Sequence, residues 1–167
     1  MLSNFVEKKL NENEILAQCF LFFIAGYETT ATTLSFCSYE LALHPEIQER
    51  LYSETSSAFD ANGDINYDIL SKLPFLDSVI SETLRLYPPV LRLGREAMED
   101  IQLENTDITI AKGVIAEIPV YAIHHSEEYY ENASEFNPDR FMPENRANIK
   151  PNTYLPFGSG PVSKHFY

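Results

Sequence analysis

Three short stretches of this 167-residue chain set side chains at spacings that can do chemistry. The first is Ala25-Gly26-Tyr27-Glu28-Thr29-Thr30. An acid beside a hydroxyl inside an apolar run is costly unless both are paired or used. Gly26 removes a side chain and lets something flat come close to the backbone. A threonine hydroxyl can bond back to the carbonyl one turn earlier and bend the helix. Such a site can open around a bound molecule and relay protons, and the same residues also suit a Gly- and Thr-tolerant core helix with one satisfied glutamate. The second stretch, Ser81-Glu82-Thr83-Leu84-Arg85, places Glu82 and Arg85 on one helix face. Alone, that is a common surface ion pair worth little. In the third, Phe136-Asn137-Pro138-Asp139-Arg140-Phe141, Arg140 either occupies an exposed turn or swings inward to grip a carboxylate with a two-pronged bond. A Glu–Arg–Arg network of that kind would pin a segment that has no hydrogen-bond ladder of its own.

A metal site is not assigned. His124 and His125, with Glu127 and Glu128 nearby, are the nearest approach to one. Adjacent residues on a helix do not converge on an ion, and no third ligand stands at a suitable spacing.

The elements that must position these residues follow from caps, breaks and periodicity. Asn11 and Glu14 make a capping box before a helix over about 12–43. The first half of that helix is apolar nearly all round, which predicts burial on most sides. The uncharged run 15–27 is shorter than the roughly 20 residues that a bilayer span requires, so a buried core helix is expected. Pro45 opens a second helix to about residue 60, and Asn62-Gly63 signals a turn. A short helix follows near 68–71. A helix from Pro74 to Pro88-Pro89 presents Leu76, Val79, Ile80 and Leu84 as one apolar face. Short β segments follow at about 93–96, 101–103, 108–110 and 114–118, then a short helix around 120–125. Residues 126–167 read as an irregular but ordered meander of the kind usually kept for function. The fold class is mainly α with a small β portion.

Composition narrows the function. The formal net charge is −13, which excludes nucleic acid as a partner, because phosphate binding needs a basic face. It also argues against docking on an anionic membrane surface. Cys19 and Cys37, the two cysteines of the sequence, lie about 27 Å apart if they share one helix, too far for a disulfide. Two buried, reduced thiols fit a cytosol-facing protein. The polar Asn11-Glu12-Asn13-Glu14 after Lys8-Lys9 does not suit a secretory leader, and no membrane anchor is expected in this chain.

The motifs are individually weak, but their order is specific. Ala-Gly-x-Glu-Thr-Thr, Glu-x-x-Arg, Phe-x-Pro-x-Arg-Phe and the closing Phe157-Gly158-Ser159-Gly160-Pro161 occur in sequence, with Ser38-Tyr39-Glu40-Leu41-Ala42 and His44-Pro45 between them. Together they resemble the cytochrome P-450 family, and within it the microsomal drug- and steroid-oxidising branch, over essentially the whole chain. The resemblance implies that 1–167 is a single partial cytochrome P-450 domain, a fragment of the family's C-terminal half. It implies haem as cofactor and monooxygenation of lipophilic small molecules with O2. NADPH-cytochrome reductase would supply the electrons, at the cytosolic face of the endoplasmic reticulum. It makes Glu28 and Thr29 the acid–alcohol pair that delivers protons. Ala25 and Gly26 would lie over the haem face, Arg95 would meet a propionate and Phe157 would pack against the ligand loop. Glu82, Arg85 and Arg140 would form a structural triad behind the haem. Val90 and Leu91 would border the substrate cavity.

Two positions depart from the family pattern. Lys164 stands where the family has the thiolate cysteine, and Val162 where it has a propionate-binding arginine. The thiolate gives the iron the electron push for O–O cleavage, and a lysine ammonium has no soft sulfur to replace it. The change after Pro161 points to an alternative exon end, a shifted frame or a gene-model artefact. Two readings follow for this chain: a haem monooxygenase fragment that is inactive as written and cytosolic or degraded, or a non-catalytic product that acts, if at all, by binding a partner through an exposed half-core.

Overall fold

The computed structural model describes residues 9–60, 62–65 and 67–159. Helix α1 spans Glu12–Leu43. It starts where the sequence places its cap: the Glu14 amide donates to Asn11 Oδ1 at 3.0 Å, and the Asn11 amide donates to Glu14 Oε2 at 2.9 Å. It stops at His44, and Pro45 becomes the first residue of α2, Pro45–Ser56. That helix ends four residues short of the expected boundary. The chain turns instead into a small loop in which Asp60 Oδ1 accepts the amides of Asn62 and Asp64, with Gly63 at φ +84°. A single turn, α3, covers Tyr67–Leu70.

Helix α4, Pro74–Leu86, is the structural centre. Its first turn has no cap of its own. The Glu54 carboxylate of α2 supplies one, accepting the Phe75 amide at 2.9 Å and the Leu76 amide at 2.8 Å. The buried apolar face of α4 is Phe75, Val79 and Leu86, joined by Phe136 from the meander, with Cys37, Leu41 and Leu51 packed against it. The face expected from spacing is therefore rotated: Ile80 is exposed and Phe75 is buried.

Two small antiparallel pairs follow. Strand β1, Leu93–Glu96, pairs with β4, Ile115–Ile118, in the register Leu93 to Ile118. Strand β2, Ile101–Gln102, pairs with β3, Thr109–Ile110. Helix α5 covers Val120–His124. The meander is ordered by two 3-10 turns, Pro138–Phe141 and Arg146–Asn148.

One expectation fails along α1. Every residue from Ile15 to Thr30 is exposed, and Glu40 is the buried residue of this helix. An all-round apolar helix is buried only where other segments cover it, and among the described residues only the last third of α1 is covered, by α2 and α4. By length and composition α1 could also cross a membrane, with none of its apolar window buried. Cys19 lies on this open half and is exposed, not buried as expected; Cys37, on the covered third, is half-buried, and burial pushes its thiol pKa up.

Candidate active site

The Glu82 and Arg85 side chains lie inside the protein, both fully buried. Their i, i+3 spacing on α4 lets the guanidinium grip the carboxylate from two sides, Nε to Oε2 at 2.7 Å and Nη2 to Oε1 at 2.8 Å. The remaining donors reach the end of α5 and the meander: Nη1 to the carbonyls of His124 at 2.7 Å and Ala133 at 2.8 Å, and Nη2 to that of Glu135 at 3.1 Å. Arg140 arrives from the 3-10 turn. Its Nε stands 3.4 Å from Glu82 Oε1, and its Nη2 donates to the Asn132 carbonyl at 3.0 Å. The same Glu82 oxygen accepts the Asn137 amide at 2.9 Å. The three charged residues thus meet, and backbone groups take up most of their remaining hydrogen-bonding capacity; the buried Arg140 Nε makes no hydrogen bond and has only the Glu82 charge at 3.4 Å. A buried charge is tolerated only on such terms.

His124 completes this frame. Its Nδ1 lies 3.1 Å from the Arg85 carbonyl and its Nε2 accepts the Leu155 amide at 2.8 Å, so both nitrogens hold backbone. Burial, with the Arg85 charge beside it, lowers its pKa to about 4 and keeps the ring neutral. No spacing rule marks a lone histidine as the link between a helix and a loop, and sequence reasoning had considered it only as a metal ligand. His125 points elsewhere, to the Tyr121 carbonyl.

The middle of α1 faces the turn after α4 across a cavity of about 450 Å³. Ala25, Glu28 and Thr29 line one side; Leu86, Tyr87, Pro88, Pro89, Leu91 and Tyr121 line the other. The wall is mostly apolar, and Glu28 is its acidic group. Gly26 has open space: a Cβ placed there would meet no atom within 4 Å. The Thr29 hydroxyl donates to the Ala25 carbonyl at 2.7 Å. Helix α1 runs as continuous α-helix through Gly26–Thr29. Thr33, Ser35 and Ser38 make the same bond to the carbonyl four residues earlier. A hydroxyl that shares a carbonyl already in the helix ladder need not break it.

Thr29 also borders a second, almost wholly apolar cavity of about 350 Å³ with Thr33, Cys37, Ile80, Leu84 and Phe157. Phe157 therefore reaches α1 and α4 from the end of the meander. Val90 is exposed and does not line the first cavity, unlike its neighbour Leu91. Arg95 projects from β1 into solvent, its Nη1 donating to the Gly94 carbonyl at 2.9 Å. Val162 and Lys164 lie outside the described residues.

A second buried acid escaped sequence reading. Glu40 of α1 accepts the Tyr87 hydroxyl at 2.6 Å and has His44 Nδ1 3.4 Å from its other oxygen. Burial and the Glu40 charge hold the Tyr87 hydroxyl well above the ordinary tyrosine pKa.

A family model described as Cytochrome P450 matches residues 2–163. The chain is 48% identical over 155 residues to "Probable cytochrome P450 6a14" of Drosophila melanogaster, covering 91% of this chain and 30% of that protein. It is 46% identical over 154 residues to "Cytochrome P450 3A2" of Rattus norvegicus, covering 92% and 30%, and 43% identical over 155 residues to "Cytochrome P450 9e2" of Blattella germanica, covering 92% and 29%. The chain thus spans about a third of the length of the curated relatives it matches.

Proposed function

The chain belongs to the cytochrome P450 family, and from that premise we propose that it is the oxygen-handling and haem-facing part of a monooxygenase that oxidises lipophilic small molecules, xenobiotics or steroids among them. The observation that carries this reading is the apolar cavity between α1 and the turn after α4, with Glu28 and Thr29 in its wall, on a fold that also buries the Glu82–Arg85–Arg140 frame. An apolar cavity with a few convergent polar groups is the usual form of a small-molecule site. Glu28 would take protons from solvent and Thr29 would hold them at its hydroxyl. Leu91, with Val90 beside it, would meet the substrate.

Haem is the cofactor the family implies, and in the family it supplies the activation of O2. The α1 residues fit a flat macrocycle: Gly26 leaves open space over the helix, Ala25 adds only a methyl, and Phe157 lines an apolar slot with Thr29 and Leu84. Arg95, in solvent on β1, is of the right charge for a propionate. The position where the family has its thiolate does not fit. The sequence has Lys164 there, and its two cysteines, Cys19 and Cys37, both lie on α1. We infer that this sequence does not form a thiolate-ligated centre. The test is the carbon monoxide difference spectrum of the reduced, haem-loaded chain, followed by turnover with NADPH-cytochrome reductase as electron donor. No thiolate-type Soret band is expected from the unaltered chain, and a clear one with product formation would falsify the inference. The double variant Lys164→Cys with Val162→Arg asks whether donor and propionate partner are what it lacks.

Localisation at the cytosolic face of the endoplasmic reticulum is part of the same proposal. A second reading, partner binding without catalysis, is favoured by one observation: the open apolar half of α1, where Phe20, Leu21, Phe22 and Phe23 are all exposed. Haem content of the purified chain separates the two.

A further inference from the structure

We propose that Glu40 is a positioning residue for the cavity in front of α1, acting on its shape and polarity through the Tyr87 ring. The proposal rests on reading that cavity as the place of a lipophilic substrate.

Glu40 does not line the cavity, yet it is 5% exposed. Tyr87 does line it. The chain leaves α4 at Tyr87, which is the helix C-cap at φ −126° and ψ 64°. Its ring has therefore left the helical side-chain ladder, and two contacts hold it. One is a stack on Phe36, centroids 4.0 Å apart and planes within 1°. The other is the hydroxyl bond to Glu40 at 2.6 Å. Stacked rings slide and turn against each other at small cost, whereas a short bond to a carboxylate fixes one end in direction and distance. His44 Nδ1 bonds the Glu40 backbone carbonyl at 2.9 Å and lies 3.4 Å from the carboxylate's other oxygen, and the His44 ring tilts against Phe136 at 5.5 Å. The orientation of a cavity wall is thus set from α1, outside the cavity.

Removing the carboxylate leaves the tyrosine hydroxyl without its acceptor in a half-buried place, which is unfavourable. The ring would then turn to bring the hydroxyl to water, and the open side is the cavity. A polar group would enter a side of the cavity now lined by Leu86, Pro88, Pro89 and Leu91. Apolar ligands would bind less well.

The experiment uses the full chain and naphthalene as probe, followed by methyl chemical shifts of Ala25, Leu86 and Leu91, which line the cavity. The unaltered chain is expected to bind it, and Glu40→Leu to bind about tenfold more weakly. Glu40→Gln, which keeps an acceptor oxygen, should stay close to the unaltered chain. The decisive variant is Glu40→Leu with Tyr87→Phe. It has no hydroxyl to relocate, so affinity should return, which a merely structural role of Glu40 would not give. Equal affinity in Glu40→Leu and the unaltered chain overturns the proposal, and so does a double variant as weak as Glu40→Leu. No naphthalene effect on the unaltered chain overturns the substrate reading of the cavity and this inference with it. If Glu40→Leu does not fold, Tyr87→Phe decides: the ring at 87 should flip faster and average its contacts with Phe36, and a ring as fixed as the tyrosine overturns the assignment.

Discussion

Helix α4 carries two fully buried charges and is held on several sides. The first half of α1 carries an uncharged apolar run, and all of it meets water. By hydropathy alone their places would be exchanged. Burial is decided by what the rest of the chain brings to a surface. Around α4 the chain brings α1, α2, α5 and the first 3-10 turn. Helix α2, helix α5 and the meander each bring a polar group that answers one on α4: Glu54 at its N-terminus, the carbonyls of His124 and Ala133 on Arg85, the Asn137 amide and Arg140 on Glu82. The open half of α1 receives nothing comparable from the described residues.

The largest effect that comparison predicts is at Arg85. Arg85→Met leaves Glu82 buried with only the longer Arg140 contact as countercharge and strips three carbonyls, those of His124, Ala133 and Glu135, of their donor. A loss of about 3–5 kcal/mol is expected. For a domain of ordinary marginal stability that amounts to unfolding. Urea denaturation followed by tyrosine fluorescence measures it, and a loss below about 1 kcal/mol would mean that the network is not what holds the meander.

Next in size is a pH dependence from His124. Its folded pKa is about 4 against an ordinary value of 6.5, so the folded state favours the neutral ring and the unfolded state takes up the proton first. This contribution is complete above pH 6.5 and is lost as pH falls from there towards 4. The loss is about 3 kcal/mol at most. His124→Asn, which keeps a donor and an acceptor, should be less stable at neutral pH and flatter across this window. An equally steep acid limb in His124→Asn would assign the dependence to other groups.

A smaller effect belongs to the borrowed cap. Glu54→Gln leaves one carbonyl oxygen for the two amides of Phe75 and Leu76 and removes a negative charge from the start of α4. About 1 kcal/mol is expected from the two terms together. Equal midpoints in chemical denaturation for Glu54→Gln and the unaltered chain would show that water replaces the carboxylate without cost.

What could be read in the sequence follows the same division. The start of α1, the prolines that open α2 and α4, the strand positions and the short helix at 120 depend on local chemistry, and they were legible to within a few residues. The meeting of Glu82 with Arg85 was half legible, because an i, i+3 pair shares a face whatever surrounds it; its burial depended on residues about 50 positions further along the chain. Glu40 with Tyr87 and Glu54 with Phe75 were not legible, since neither partner lies near the other in sequence and an acid on a helix ordinarily faces water. The end of α2 was missed because the ladder is left early: the Ala58 amide bonds the Thr55 carbonyl and the Asp60 amide turns forward to the Asp64 carbonyl. The exposure of α1 was mispredicted for the reason already given: an apolar surface states a requirement for cover without naming what supplies it.

The smallest expected effect on stability is at Phe22, which is 76% exposed on that open half. Serine and phenylalanine have similar helix propensities, and a ring already in water gives up little burial when it is removed. Phe22→Ser should therefore leave the urea midpoint of the α4 core within about 0.5 kcal/mol. Association is another matter. Neighbouring Phe20, Leu21, Phe23 and Ile24 are also exposed and form one apolar surface along the helix, of the kind that drives proteins together in water. Sedimentation velocity over a concentration series should show the unaltered chain self-associating and Phe22→Ser doing so less. A large drop in stability with no change in association would reverse the comparison, because it would mean that Phe22 is covered in solution and that the open half of α1 packs on something within the chain itself.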